Sequence, residues 1–258
     1  MTAELPADLA AAVERVCRTP RLLVAMDFDG TLSPLVDRAG DARPLPASAA
    51  AFAALADCEG TTTALISGRA LASLRAVASP DDRALLIGSH GAEVWLGPDA
   101  TALELDAGQR TTLERVHLLL AKVSAAHPGT SLEFKPAGVV LHTREAADPV
   151  AEAAALDAHA RLRDLRGAFV ADGKRVVEVS VVRADKGQGL GILRGAARAT
   201  AVIFAGDDVT DEHAFAALGP EDLGIKVGPG DTAAAYRIGS PNELPAVLAA
   251  VLALRRAP

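Results

Sequence analysis

The chain alternates short apolar runs with longer amphipathic stretches. Residues 22–26, 84–87 and 201–205 carry no polar side chain, and 62–66 and 223–227 are nearly as apolar. Runs this short with no polar alternation predict strands buried on both faces, as in a parallel sheet. Between them the spacing predicts helices over 8–18, 47–56, 70–77, 211–218 and 243–254, and another opening at Lys186. Strands alternating with helices predict an α/β fold with a doubly wound, Rossmann-like parallel sheet, closed by 223–227 as its last strand.

The middle of the chain breaks this rhythm. Two long helices are expected over 109–126 and 149–165, each followed by a pair of short strands, 131–134 with 139–142 and 168–171 with 175–179. The pairs turn around Pro136-Ala137-Gly138 and Asp172-Gly173-Lys174, and hairpins make antiparallel sheets. Residues 105–182 therefore read as an inserted α+β cap domain, with 1–104 and 183–258 forming the core.

Of the 258 residues, 50% are hydrophobic but only 3% aromatic, so the core must be built from Ala, Leu and Val. That apolar content argues against disorder, and a net charge of -7 gives no support for non-specific nucleic-acid binding. Cys17 and Cys58 form no CxxC and no metal-spaced set. A disulfide framework is excluded, and a reducing compartment fits. The first twenty residues carry acids and no continuous apolar stretch, so no secretory signal is expected, and no run approaches the roughly 18 apolar residues of a membrane span. The expectation is a cytoplasmic protein with neither membrane nor nucleic-acid partners.

Chemistry gathers where the apolar runs end. Asp27 and Asp29 follow the first, Ser67-Gly68-Arg69 the second, Gly88-Ser89-His90-Gly91 the third, and Asp207, Asp208 and Asp211 the fourth. If these strands are parallel neighbours, their carboxyl ends share one edge, where open α/β sheets bind ligands. Clustered carboxylates make a hard-cation site of the Mg²⁺ type, and Lys186 and Ser67 could hold phosphate oxygens. Taken singly the features are bland: Asp-Gly is commonly a turn, and Asp or Ser commonly caps a helix. Their joint placement, each directly after a buried strand, favours a site.

Asp27-Phe28-Asp29-Gly30-Thr31, Ser67-Gly68-Arg69, Lys186-Gly187 and Gly206-Asp207-Asp208-x-x-Asp211 stand in the order found in haloacid dehalogenase-like phosphatases. Within that superfamily the chain resembles the trehalose-6-phosphate phosphatases. Gly88-Ser89-His90-Gly91-Ala92-Glu93, Glu133-Phe134-Lys135-Pro136, His142-Thr143-Arg144 and the stretch Gly173 to Val179 carry that finer match. The resemblance implies Mg²⁺-dependent hydrolysis of trehalose 6-phosphate through an aspartyl-phosphate. Asp27 would be the nucleophile, Asp29 the acid and base, and Lys186 part of the phosphoryl clamp. The metal would sit on Asp27, Asp207 and the carbonyl of Asp29, with Asp208 and Asp211 in the outer shell. Ser67, Gly68, Arg69, His90, Glu133, Lys135, His142 and Glu178 would meet the substrate. Backbone N–H groups after Asp29 could add phosphate donors.

The cap would close over the core about hinges near 104–108 and 181–185. The expected partner is a small sugar phosphate, with room for a functional link to a trehalose-phosphate synthase. Sucrose-phosphate or mannosyl-3-phosphoglycerate phosphatases are the neighbouring enzyme readings. A non-catalytic sugar-phosphate-binding protein is the non-enzyme one, and Asp27, Asp29, Lys186 and Asp207 together argue against it. A receiver domain would be about half this length and lack a cap.

Overall fold

The computed structural model describes residues 5–98, 105–173, 175–182 and 185–257. The chain divides into two compact units, 1–102 with 184–258, and 103–183. The expected hinges fall partly outside the described residues, at 104 in the first and at 183–184 in the second.

The first unit is built on a seven-stranded sheet. Its strands are β1 (Leu22–Met26), β2 (Thr61–Ile66), β3 (Leu85–Gly88), β4 (Glu93–Trp95), β9 (Ala201–Gly206), β10 (Leu223–Val227) and β11 (Tyr236–Ile238). They lie in the order β11-β10-β9-β1-β2-β3-β4. All neighbours are parallel except β3 and β4, which run antiparallel.

The apolar runs have a direct physical cause. Leu22, Val24 and Met26 face one hydrophobic cluster, while Leu23 and Ala25 face another. Alternate side chains of a strand point to opposite faces, so a strand covered on both sides is mostly apolar. The first face is covered by α1 (Ala7–Cys17), α2 (Pro46–Leu55), α3 (Leu71–Ala78) and α8 (Leu244–Arg256). The second is covered by α6 (Lys186–Ala197) and α7 (Asp211–Ala216).

The sequence places 223–227 last in the sheet; the structure adds β11 beyond it and β4 beyond β3. Both are three residues long. A three-residue edge strand carrying Glu or Arg makes no apolar run and gives periodicity nothing to register.

The second unit pairs α4 (Ala107–Ala126) and α5 (Asp148–Leu162) with an antiparallel sheet of β5 (Ser131–Lys135), β6 (Gly138–His142), β7 (Phe169–Gly173) and β8 (Val176–Ser180). The sheet order is β5-β6-β8-β7. Asp106 caps α4 by accepting from the Gln109 N–H at 2.8 Å, while Gln109 Oε1 accepts from the Asp106 N–H at 2.9 Å. One sheet face, with Val139, Leu141, Val177 and Val179, packs on Val116, Leu120 and Ala158 of the helices. The second hairpin turns later than expected. Gly173 pairs with Val176, so Asp172 and Gly173 belong to the strand; Lys174 lies outside the described residues.

Candidate active site

The parallel strands of the first unit deliver their following residues to one edge. The Asp27 N–H donates to Ala205 O at 2.9 Å, extending the β1–β9 ladder by one residue and fixing Asp27 at the strand end. Its side chain is only 5% exposed. Lys186, the first residue of α6, reaches Asp27 Oδ1 at 2.6 Å and Asp211 Oδ1 at 2.7 Å. The other Asp211 oxygen accepts the N–H groups of Asp207 and Asp208, both at 3.0 Å. Asp207 lies over Gly30, where a Cβ would stand 2.1 Å from its carboxylate. Gly30 is also at φ +82°, so two independent reasons require glycine there.

Asp27, Asp207 and Asp211 thus bring carboxylate oxygens within 4.8 Å of one another. Three carboxylates face one ammonium, and an all-oxygen acidic cluster with that imbalance can hold a metal cation. Burial pushes the Asp27 carboxyl well above the ordinary range, Asp211 and Asp207 adding to the effect and Lys186 opposing it. Burial and then Asp211 push Asp207 up to about 6. For Lys186 burial works against the charged form, but Asp27 and Asp211 outweigh it and the pKa rises.

Asp29 stands apart from this cluster. Arg69 grips its carboxylate with two parallel bonds of 2.5 and 2.6 Å, and the guanidinium also lies over the Phe28 ring, 5.5 Å from its centre. Of the residues after β2, Arg69 therefore meets an acid; Ser67 Oγ accepts the Arg69 N–H at 3.1 Å and shapes the turn. Ser67 is not the N-cap of α3, which Ala70 begins without a side-chain bond. The His90 ring sits where a Cβ on Gly68 would be, 2.4 Å away. Ser89 and His90 are both left-handed, at φ +48° and +56°. Ser89 Oγ donates to buried Glu93 at 2.6 Å, which helps to hold that turn.

Backbone donors after Asp29 are partly spent: the Gly30 N–H bonds Ser33 O at 2.8 Å and the Thr31 N–H bonds Phe28 O at 3.4 Å. Asp208 is exposed, and its carboxylate accepts the Val209 N–H at 2.7 Å.

In the second unit the register sets Glu133 opposite Val140 and Val140 opposite Glu178. Glu133, Lys135, His142 and Glu178 consequently share one sheet face, opposite the face packed on α4 and α5. They form two pairs, His142 Nε2 with Glu133 at 2.9 Å and Lys135 Nζ with Glu178 at 2.6 Å. The His142 bond holds the Glu133 carboxyl below its ordinary range, with Lys135 assisting against burial.

The sequence passed over Lys226. It is 4% exposed, and its Nζ donates to Asp207 O at 2.6 Å. The available signal was a lysine inside a strand buried on both faces, a position that demands a polar partner.

The trehalose-phosphatase family model matches residues 25–239. The chain belongs to the trehalose-phosphatase family. It is 37% identical over 238 residues to the trehalose-phosphate phosphatase of Mycobacterium marinum, covering 86% of this chain and 59% of that protein. Identity to the Mycobacterium tuberculosis trehalose-phosphate phosphatase is 34% over 242 residues, covering 88% of this chain and 59% of that protein. This member of the trehalose-phosphatase family thus spans somewhat under two thirds of the length of those relatives.

The C-terminal domain of Candida albicans trehalose-6-phosphate phosphatase superposes with a TM-score of 0.79 at 21% identity, covering 98% of this chain and 99% of that one. A haloacid dehalogenase-like hydrolase from B. subtilis gives 0.57 at 14% identity, covering 87% and 97%. The fold of this trehalose-phosphatase family member is accordingly haloacid dehalogenase-like, as its motifs imply. Among the described residues no helix is long and apolar enough to cross a membrane.

Proposed function

We propose that the protein is a Mg²⁺-dependent phosphatase that hydrolyses trehalose 6-phosphate to trehalose and phosphate. The observation that carries this reading is the buried Asp27 carboxylate at the end of the central strand, sharing Lys186 with Asp211 and lying within 4.8 Å of Asp207. A nucleophile for a phosphate monoester must be held in line, because the uncatalysed reaction is among the slowest known.

Asp27 attacks phosphorus and the bond to the sugar oxygen breaks, leaving the phosphoryl group on the Asp27 carboxylate. Asp29 gives a proton to the departing sugar oxygen, then takes one from the water that cleaves the aspartyl-phosphate. Arg69 binds both Asp29 oxygens, so Asp29 must leave that grip to carry the proton of the first transfer. Lys186 and Ser67 offset and hold the phosphoryl oxygens, with Gly68 and His90 beside them.

The donor set fits Mg²⁺: Asp27 and Asp207 would hold it, with Asp211 orienting through its bonds to Lys186 and the Asp207 N–H. When bound, Mg²⁺ supplies the positive charge that lets a phosphate dianion approach these carboxylates. The polar sheet face of the second unit, with Glu133, Lys135, His142 and Glu178, would bind the disaccharide hydroxyls. The Mycobacterium relatives are trehalose-phosphate phosphatases, which supports trehalose 6-phosphate over other sugar phosphates.

Phosphate release should be measured on trehalose 6-phosphate, sucrose 6-phosphate, glucose 6-phosphate and mannosyl-3-phosphoglycerate, with Mg²⁺ and with a chelator. Trehalose 6-phosphate should be preferred at least about tenfold in kcat/KM, and chelation should abolish turnover. Equal turnover of all four, or full activity in chelator, would refute the reading.

A further inference from the structure

We infer that Lys226 is a positioning residue for the metal carboxylate of Asp207, a role that rests on reading Asp207 as a metal ligand. Asp207 follows the last residue of β9, where the sheet no longer supplies main-chain partners. Charged side chains take over its N–H and its C=O. Asp211 accepts the Asp207 N–H at 3.0 Å, and Lys226 donates to the Asp207 carbonyl at 2.6 Å. The missing side chain of Gly30 leaves the space that the carboxylate occupies.

Lys226 reaches the carbonyl from β10, where it stands opposite Gly206 in the ladder. On its far side Nζ lies 3.5 Å from Glu212. Glu212 in turn accepts the Ala233 N–H at 2.8 Å and Thr232 Oγ1 at 3.3 Å. The ammonium thus also faces a carboxylate anchored on the connection between β10 and β11. A buried lysine is costly to keep. A fold needing only hydrophobic packing would place an apolar residue in this strand.

The inference separates by sign from a purely electrostatic or structural role. Lys226→Met removes a positive charge close to the acidic cluster, so electrostatics alone would tighten cation binding. Loss of positioning loosens it, by about 10–100-fold if Lys226 acts as outer partners of metal ligands generally do.

The test is calorimetric titration of Mg²⁺ into the metal-free full chain. Three proteins are compared: wild type, Lys226→Met, and Arg194→Met. The last breaks a different ion pair of the same unit, between Arg194 and Asp222. The expected result is a Kd raised at least about tenfold in Lys226→Met and changed less than about twofold in Arg194→Met. A Lys226→Met Kd equal to or below the wild-type value overturns the inference and leaves the metal reading standing. An equal loss in Arg194→Met overturns it too, since any destabilised variant would then behave alike. Absence of Mg²⁺ uptake by the wild type overturns the metal reading and the inference with it. Should Lys226→Met fail to fold, Lys226→Met combined with Glu212→Gln, which leaves no lone buried charge, carries the same expectation and the same refutation.

Discussion

Replacing Asp27 by Asn should abolish phosphate release and, in the absence of metal, make the protein more stable. The carboxylate is 5% exposed and lies within 4.8 Å of two others. At an effective dielectric constant of about 20, each repulsion at that distance is worth about 3.5 kcal/mol, about 7 for the two. Lys186 at 2.6 Å returns about 6 kcal/mol on the same scale. The Coulomb effects nearly cancel, so the unopposed cost is taking the charge out of water, which an amide of the same shape largely avoids. A gain of about 1–2 kcal/mol follows, the size common when a functional site is relaxed, or about 2–8 °C in Tm for a chain of this size. The assay is thermal unfolding at pH 7.5 in chelator, repeated with Mg²⁺. Mg²⁺ should raise the wild-type Tm and leave Asp27→Asn nearly unmoved. An Asn variant less stable than wild type in chelator would show that the Lys186 pair outweighs repulsion and burial together, and the account of the cluster would fail.

Two further outcomes are expected. Glu133→Ala or Glu178→Ala should cost about 2–4 kcal/mol in kcat/KM on trehalose 6-phosphate, about 30- to 1000-fold, and little on a small aryl phosphate; equal losses on both substrates would remove these residues from sugar recognition. Asp207, raised to about 6 by burial and Asp211, is protonated below that pH. Its folded pKa exceeds the unfolded value near 3.9, so in metal-free protein this group favours the fold below about pH 4 and that contribution is lost as pH rises through 6. Mg²⁺ must displace the same proton, so its Kd should rise below pH 6 and its effect on Tm should be larger at pH 7.5 than at pH 5; a pH-independent Kd would contradict this.

What could be seen in the sequence follows a physical division. β1 and β9 were legible because they are covered on both faces and carry no polar residue, and the acids that follow stand out against that background. The inserted unit was legible because helical spacing gave way to paired short strands with turn residues between them. Pairings between strand ends were not legible. Arg69 meets Asp29 across 40 positions of chain, and nothing local distinguishes an arginine that grips an acid from one that grips phosphate. Lys226 was hidden because the strand pattern around it absorbed one charge without comment. β4 and β11 owe their existence to a neighbouring edge, not to their own three residues.

The central strand has a further consequence during synthesis. β1 pairs with β2 on one flank and with β9 on the other, and Leu22 meets Ala201. When a ribosome has released the first hundred residues, β1 has one neighbour and one open flank of unpaired N–H and C=O groups. The strand that will close it, and the lysine that will neutralise Asp27, have yet to be made. Closing so long a loop is slow, and for that interval the future centre of the sheet is an edge, open to any other strand that can dock there. Chaperone dependence of this chain should therefore concentrate on the time before residue 206 emerges, and a circular permutant that places 185–257 ahead of β1 would shorten it.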